Sequence, residues 1–181
     1  MADPWQELLE ANYRTVPAPV DEPPEHAPKA AVLACSDARV PPSVLFDQPA
    51  GSLFVVRIAG NTANPSTLAS LDYAVAHLGV ELLVVLGHTG CGAVAAAKER
   101  VCDGVLEPVT LPICPVVEAH PDASDDELSG HNVLAVVDAI RGHDGPAGLA
   151  VREGRVRVEG AVHDLRSGRL LPARSLVASG P

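Results

Sequence analysis

Short apolar runs alternate along this chain with longer stretches whose apolar positions recur at helical spacing, and that alternation predicts most of its elements. Ala30–Ala34 (AAVLA) follows Lys29 and ends at Cys35; a wholly apolar run of this kind reads as a buried strand. Ser52–Ile58 (SLFVVRI) and Glu81–Leu86 (ELLVVL) read the same way. Between these two, Asn64-Pro65-Ser66 opens a helix, with Asn64 as N-cap and Pro65 at the first helical position. Leu68, Leu71, Val75 and Leu78 then mark its buried stripe, and Gly79 ends it. Ala93–Arg100 continues as helix after the third strand. Ser124-Asp125-Asp126-Glu127 is a capping box that opens a further helix carrying Leu128, Val133, Leu134, Val137 and Ile140 and closing near Gly142. Arg155–His163 alternates polar and apolar positions as a half-exposed strand does, and Arg166-Ser167-Gly168 turns it into a hairpin.

The remaining segments frame this pattern. Residues 5–14 (WQELLEANYR) form a short amphipathic helix with Trp5, Leu8 and Leu9 on one stripe. Residues 15–29 are rich in proline and read as an extended linker, so the helix is expected to pack on its own core or on a partner subunit. Residues 103–123 read as irregular. The chain thus divides into an N-terminal helical arm with a proline-rich linker, residues 1–29, and an α/β domain, residues 30–181. Strands alternating with helices predict a mostly parallel sheet covered on both faces. In such sheets ligands bind beyond the carboxyl ends of the strands, which is where Cys35 and His88 fall.

Composition narrows the function. Aromatic residues are 3% of the chain while apolar residues are 47%, so the core is aliphatic. A net charge of −10 argues against nucleic acid as a partner and against an anionic membrane surface. The arginines 152, 155, 157, 166 and 169 are interleaved with Glu153, Glu159 and Asp164 and read as a solvated strand surface. No apolar run is long enough to span a bilayer, and the first residues carry early acids without an apolar signal core, so a cytoplasmic protein is expected. The four cysteines are then expected as thiols or metal ligands rather than disulfides.

Candidate chemistry is concentrated in Cys35-Ser36-Asp37-Ala38-Arg39 and Gly87-His88-Thr89-Gly90-Cys91-Gly92. An H-x-x-C pair alone is weak evidence, since His and buried Cys near a strand end are often ordinary core residues. Cys35 changes that balance. Two thiols and an imidazole are the ligand set of a zinc site with three protein ligands and one open position. Zinc brings the pKa of a water in that position to about 7, and two thiolate donors should hold it higher than imidazoles would, so activity should rise into the alkaline range. Asp37 and Arg39 can form a bidentate pair that keeps the carboxylate ionised. Such an Asp either occupies the open position and closes the site or, held away by Arg39, orients the bound hydroxide; the plain alternative is a surface ion pair. Cys102 and Cys114 have no partner at ligand spacing and read as a buried thiol and a loop thiol. His120, His131 and His143 read as surface residues, and His77 as a cation favoured at a helix C-terminus.

C-S-D-A-R-V followed about fifty residues later by G-H-T-G-C-G-A resembles the β-class carbonic anhydrases. The segments FVVRIAGN, LDYAVAHLGVELLVVLGH and VRVEGAVHDLRSGRL, and the helix WQELLEANYR, are similar to that family's, most strongly over residues 30–98. The resemblance implies zinc ligands Cys35, His88 and Cys91, an orienting dyad of Asp37 and Arg39, and a parallel sheet with an antiparallel edge strand. It implies a homodimer, or a dimer of dimers, in which each N-terminal arm embraces the other subunit. The reaction it implies is reversible hydration of carbon dioxide to bicarbonate by zinc-bound hydroxide. This chain departs from the pattern at Ala38, at Ile58 where Asn is frequent, and at His26 where many members carry a substrate-reaching Gln. Val32 and His163 stand where the bicarbonate-regulated subgroup has Trp and Tyr, so no such regulation is expected. Two other readings keep the same fold: hydrolysis of carbonyl sulfide or carbon disulfide, and a non-catalytic zinc- or anion-binding relative, which loss of Asp37 or Arg39 would have favoured.

Overall fold

The computed structural model describes residues 3–15 and 22–177. Its centre is a five-stranded sheet in the order β2-β1-β3-β4-β5, built from β1 (Ala30–Ala34), β2 (Leu53–Arg57), β3 (Leu82–His88), β4 (Arg157–His163) and β5 (Leu170–Pro172). β1 to β4 run parallel, and β5 closes the edge antiparallel to β4. The expected α/β architecture is therefore present. β3 runs two residues further than its apolar run suggested, because pairing with β4 continues through Gly87–Val162 and His88–His163.

Eight helices are described: α1 (Pro4–Thr15), α2 (Pro42–Leu45), α3 (Pro65–Leu78), α4 (Gly92–Lys98), α5 (Glu107–Thr110), α6 (Cys114–Ala119), α7 (Asp125–Gly142) and α8 (Pro146–Arg152). Asn64 and Thr67 form the capping box of α3, with Gly79 as its left-handed C-cap, and Ser124 and Glu127 form that of α7. Side chains on opposite faces of a strand alternate, and the core follows that rule. Leu33, Leu83, Val85 and Val158 meet Leu71 and Ala74 of α3, Val133, Val137 and Ile140 of α7, and Ala147 and Ala150 of α8. The opposite face carries Val32, Ala34 and Leu86 against Val40, Leu45, Phe46 and Leu170. Both faces are thus covered, as expected, though unequally. Among the described residues, the single turn of α2 and the β4–β5 hairpin cover this side, and an apolar cleft of about 180 Å³ lies over Val32, Leu53, Leu82 and Val84.

Other expectations are also revised. Residues 103–123 are not irregular: α5 and α6 lie within them, with a tighter turn at Gly104–Leu106. Proline misleads in this segment because it breaks a helix interior yet suits a first turn, where Pro108 and Pro115 stand; Pro42 and Pro146 likewise begin α2 and α8. Cys102 and Cys114 are not free thiols but a disulfide. The turns between them fold back, so that α6 packs on α4 and the two Cα atoms come within 6.3 Å. His143 is not a free surface residue either: its Nε2 lies 2.8 Å from Asp72 Oδ2, while Asp72 Oδ1 accepts the Ala147 N–H, tying α3 to the start of α8. His120 and His131 are half-buried against each other, their rings stacked at 3.5 Å. Part of the predicted linker, residues 16–21, lies outside the described residues, and residues 22–29 have no regular structure. α1 buries none of its residues; Trp5, Leu8 and Tyr13 are exposed.

The packing of α7 on β4 depends on Gly160. A Cβ there would lie 2.7 Å from Val133 Cγ1 and 3.3 Å from Val137 Cγ2, both short, stiff side chains. Gly160→Ala is expected to destabilise the fold by about 1–3 kcal/mol through overpacking. Urea denaturation checks this: the midpoint should fall at constant slope, and an unchanged midpoint would contradict the packing described.

Candidate metal centre

β1 and β3 are neighbours in a parallel sheet, so their carboxyl ends emerge side by side. Cys35 is the first residue beyond β1 and His88 the last of β3. Cys91 follows the turn after His88 and is the N-cap of α4. The potential ligand atoms of Cys35, His88 and Cys91 all lie within 4.8 Å of one another. The three residues are 4%, 0% and 4% exposed. The structure thus brings together the three candidate ligands that the sequence singled out.

The donor set fits a metal ion on an observation of its own. His88 Nδ1 lies 2.9 Å from Thr89 O and donates to it, which assigns the lone pair to Nε2. That Nε2 is buried and has no hydrogen-bond partner. A buried acceptor without a partner is costly. A cation between the imidazole and the two sulfurs removes that cost. Thiolate and imidazole donors are soft, which is consistent with zinc and unlike the oxygen ligands that magnesium or calcium take.

The turns that carry these ligands are pinned from several sides. Thr89 N–H donates to His163 O, Leu165 N–H to Thr89 Oγ1, and Gly90 N–H to Asp126 Oδ1 at the start of α7. Gly60 N–H points at Cys35 Sγ, 3.4 Å away, and Gly60 O accepts from Asn132 Nδ2. Gly60 has φ 71°, and a Cβ on it would lie 2.8 Å from Ile113 Cδ1, so both backbone and space require glycine.

The two thiols do not ionise independently. Hydrogen bonding from Cys91 pulls Cys35 down against its burial, helped by His88 and by the amides of Asp37 and Gly60. Hydrogen bonding to Cys35, with burial and the charge there, pushes Cys91 up. Burial opposes charge on His88, yet the Cys35 sulfur beside it and the charge there lift it on balance. A divalent cation held by these three residues would supply the missing positive charge, and its binding would release protons from the group.

Asp37 stands outside the three ligands, its Oδ2 3.8 Å from His88 Nε2. Arg39 grips it: Nε donates to Oδ1 at 2.9 Å, Nη2 to Oδ2 at 2.7 Å, and the Arg39 amide to Oδ1 at 2.9 Å. The side-chain hydrogen bond from Arg39, above all, holds the Asp37 carboxyl far below the usual carboxylate range. The pair therefore sits beside the metal pocket rather than on an unrelated surface.

Sequence reasoning missed Arg57. Its Nε donates to Cys35 O at 3.0 Å and its Nη2 to Asp37 O at 2.6 Å, so one guanidinium fixes both the ligand and the acid. The available signal was a lone cation at the end of an apolar strand. Ile58, next to it, packs its side chain on the main core. His163 is buried beside His88, with Nδ1 unpartnered. His26 stacks on Phe54 near the start of β2, its ring centroid 6.4 Å away.

Cys91→Ser is expected to leave the protein with substoichiometric zinc after metal loading and desalting, by elemental analysis. Full retention of metal would remove Cys91 from the ligand set.

Comparison with known proteins agrees with this geometry. A carbonic anhydrase from Pseudomonas aeruginosa is 39% identical over 160 residues, covering 80% of this chain and 72% of that protein. Carbonic anhydrase 2 from Mycobacterium tuberculosis is 40% identical over 113 residues, 56% of this chain, which spans about half (55%) of that relative's length. Among solved structures, one from a study of two tetrameric β-carbonic anhydrases of Sordaria macrospora superposes with a TM-score of 0.74 at 29% identity, covering 81% of each chain. The Coccomyxa β-carbonic anhydrase in complex with acetazolamide superposes with a TM-score of 0.73 at 26% identity, covering 93% of this chain and 81% of that one. The family profile described as carbonic anhydrase matches residues 30–170, a span that contains the whole of β1 to β4 and both metal-binding turns, and this chain is therefore a member of the β-class carbonic anhydrase family.

Proposed function

We propose that this chain is a zinc-dependent carbonic anhydrase that interconverts carbon dioxide and bicarbonate. The observation that carries the reading is the buried, unpartnered His88 Nε2 facing two cysteine sulfurs, with an Arg-held carboxylate beside it. Cys35, His88 and Cys91 would hold the ion. Zinc, when bound there, supplies the Lewis acidity that makes a nucleophile of water near neutral pH.

The rest is done by the chain's own side chains. Arg39 occupies one edge of the Asp37 carboxylate and leaves lone pairs free toward the pocket. Being ionised, Asp37 accepts only from a group that carries a proton. It orients an attacking water or the hydroxyl of bicarbonate and repels an anion without such a hydrogen. Arg39 also draws Asp37 away from the ligand triad, which supports a resting site that is open. Arg57 keeps Cys35 and Asp37 in register by their carbonyls. The relatives and solved neighbours named above are carbonic anhydrases, so carbon dioxide stands ahead of carbonyl sulfide and carbon disulfide as substrate.

Asp37→Asn keeps the shape but not the charge. It is expected to retain zinc and to lose about 10²–10⁴ in turnover, the usual worth of a positioned proton acceptor. Stopped-flow hydration of carbon dioxide checks this. Turnover of the unmodified protein should rise from neutral to moderately alkaline pH. A carboxyl lowered by its partner stays ionised throughout that range and protonates only in strong acid, so the rise belongs to the metal centre and not to Asp37. Wild-type rates in the variant would reduce the dyad to a surface ion pair.

The same proposal includes a homodimer or a dimer of dimers, with residues 1–29 as an arm and the remainder as the catalytic domain. Two apolar surfaces support it: the exposed stripe of α1, with Trp5 and Leu8, and the cleft over Val32 and Val84. Each is the kind of surface the other needs, and an arm crossing to a second copy covers both. Replacing Trp5 and Leu8 by Glu is expected to lower the sedimentation mass toward that of a single chain; an unchanged mass would exclude the arm from the interface. No described helix is long and apolar enough to cross a membrane. A cytoplasmic site of action completes the proposal, and there a disulfide belongs to the class that is transient rather than permanent.

A further inference from the structure

The Cys102–Cys114 disulfide is placed where it touches the support of both sulfur ligands. Cys91 begins α4, and Cys102 lies just past its end, so the covalent bond ties the far end of the helix that Cys91 caps. Cys114 begins α6. Its neighbour Ile113 is fully buried, and its Cδ1 lies against Gly60, the residue whose amide points at Cys35 Sγ. Cys114, Ile113, Cys35, Cys91, Val94 and Ala97 form one buried cluster, with Cys102 packed on its edge. The turn leading to Cys102 passes through Arg100 at φ 62° and is closed by the Arg100 and Val101 amides, which donate to Ala97 O and Ala96 O, so Cys102 leaves α4 in a defined direction.

The bond is also within reach of a reagent. Both sulfur-bearing residues line a surface cleft of about 590 Å³, together with Lys98, Arg100 and Glu118. Cys102 is half-buried and Cys114 buried. The Lys98 ammonium is paired with Asp125, whereas none of the ion pairs among the described residues involves Arg100. A cation beside a thiolate stabilises it both as nucleophile and as leaving group.

We propose that Cys102–Cys114 is a thiol–disulfide exchange site whose state sets how firmly the metal turns hold their ion. The reductant is a dithiol. One of its thiolates attacks Cys102 Sγ, the Cys102–Cys114 bond breaks, and Cys114 leaves as a thiolate that takes up a proton. The second thiol of the reductant then attacks its own sulfur in the mixed disulfide and closes a cyclic disulfide, releasing Cys102 as a thiol. Two electrons pass from dithiol to protein, and the reverse sequence restores the bond. In the reduced form no covalent bond joins the end of α4 to the start of α6, and the contact of Ile113 with Gly60 loosens. The proposal rests on the metal-centre reading for its consequence, though not for the exchange itself.

The test compares three samples of the full chain: air-oxidised, reduced with dithiothreitol and desalted without oxygen, and the C102S/C114S variant. Alkylation of the metal-free, denatured protein followed by mass spectrometry should show two more reactive thiols after reduction. Release of zinc to a chromophoric chelator should be about tenfold faster, or more, in the reduced protein and in the variant, the size of effect expected when outer support of metal ligands is lost. Hydrogen exchange should quicken across residues 91–102 and 113–119 while β1 and β3 stay protected, which also shows that the variant is folded. Two results overturn the proposal: an oxidised sample with all four cysteines alkylated, or equal zinc release with equal exchange in the three samples. A protein that takes up no zinc in any state refutes the metal centre instead, and the exchange pattern then decides the coupling.

Discussion

The constraint on which this structure depends is the parallel adjacency of β1 and β3. Two apolar strands too hydrophobic to face water must lie side by side in the middle of the sheet, and a parallel pair delivers its carboxyl ends to the same edge. Cys35 and His88, far apart in sequence, meet for that reason alone. Cys91 arrives at no further cost, because a tight turn after His88 must precede α4. Once a buried imidazole nitrogen and two sulfurs are closed in together, the site is unsatisfied without a cation. What surrounds it is best understood as the means of keeping those groups there.

That support is mostly backbone. The amide of Gly60 faces one sulfur, Thr89 O fixes the tautomer of the imidazole, and Asp126 and His163 O hold the turn between His88 and Cys91. Arg57 binds carbonyls rather than a carboxylate, and so it fixes position without cancelling the charge of Asp37. The charge of Asp37 is instead managed by Arg39, which is 60% exposed along its side chain and leaves the buried pocket free of a permanent cation. In a chain with net charge −10, local placement of donors, not overall charge, makes an anionic donor set tolerable.

Much of this was legible in the sequence because local rules and tertiary needs agree. Asn64-Pro65 and Ser124–Glu127 satisfy helix starts by their own hydrogen bonds, and both helices begin there. The ligand triad was legible because its residues flank strands that hydrophobicity alone reveals. What was missed depends on partners distant in sequence or on context. Nothing near Arg57 announces that two carbonyls await it across the sheet. Cys102 and Cys114 are joined only because α5 and α6 fold back, and prolines in that segment hid both helices. The thin cover on one sheet face was equally invisible, since a strand buried under a hairpin and a single helical turn has the same composition as one buried under long helices.

The ligand shell of the bound ion tests the central claim most directly. X-ray absorption at the zinc edge of the metal-loaded protein is predicted to show two sulfurs at about 2.3 Å and two nitrogen or oxygen neighbours at about 2.0–2.1 Å. One sulfur or none would show that β1 and β3 do not deliver Cys35 and the His88 turn to a common ion, and the account built on that junction would fail.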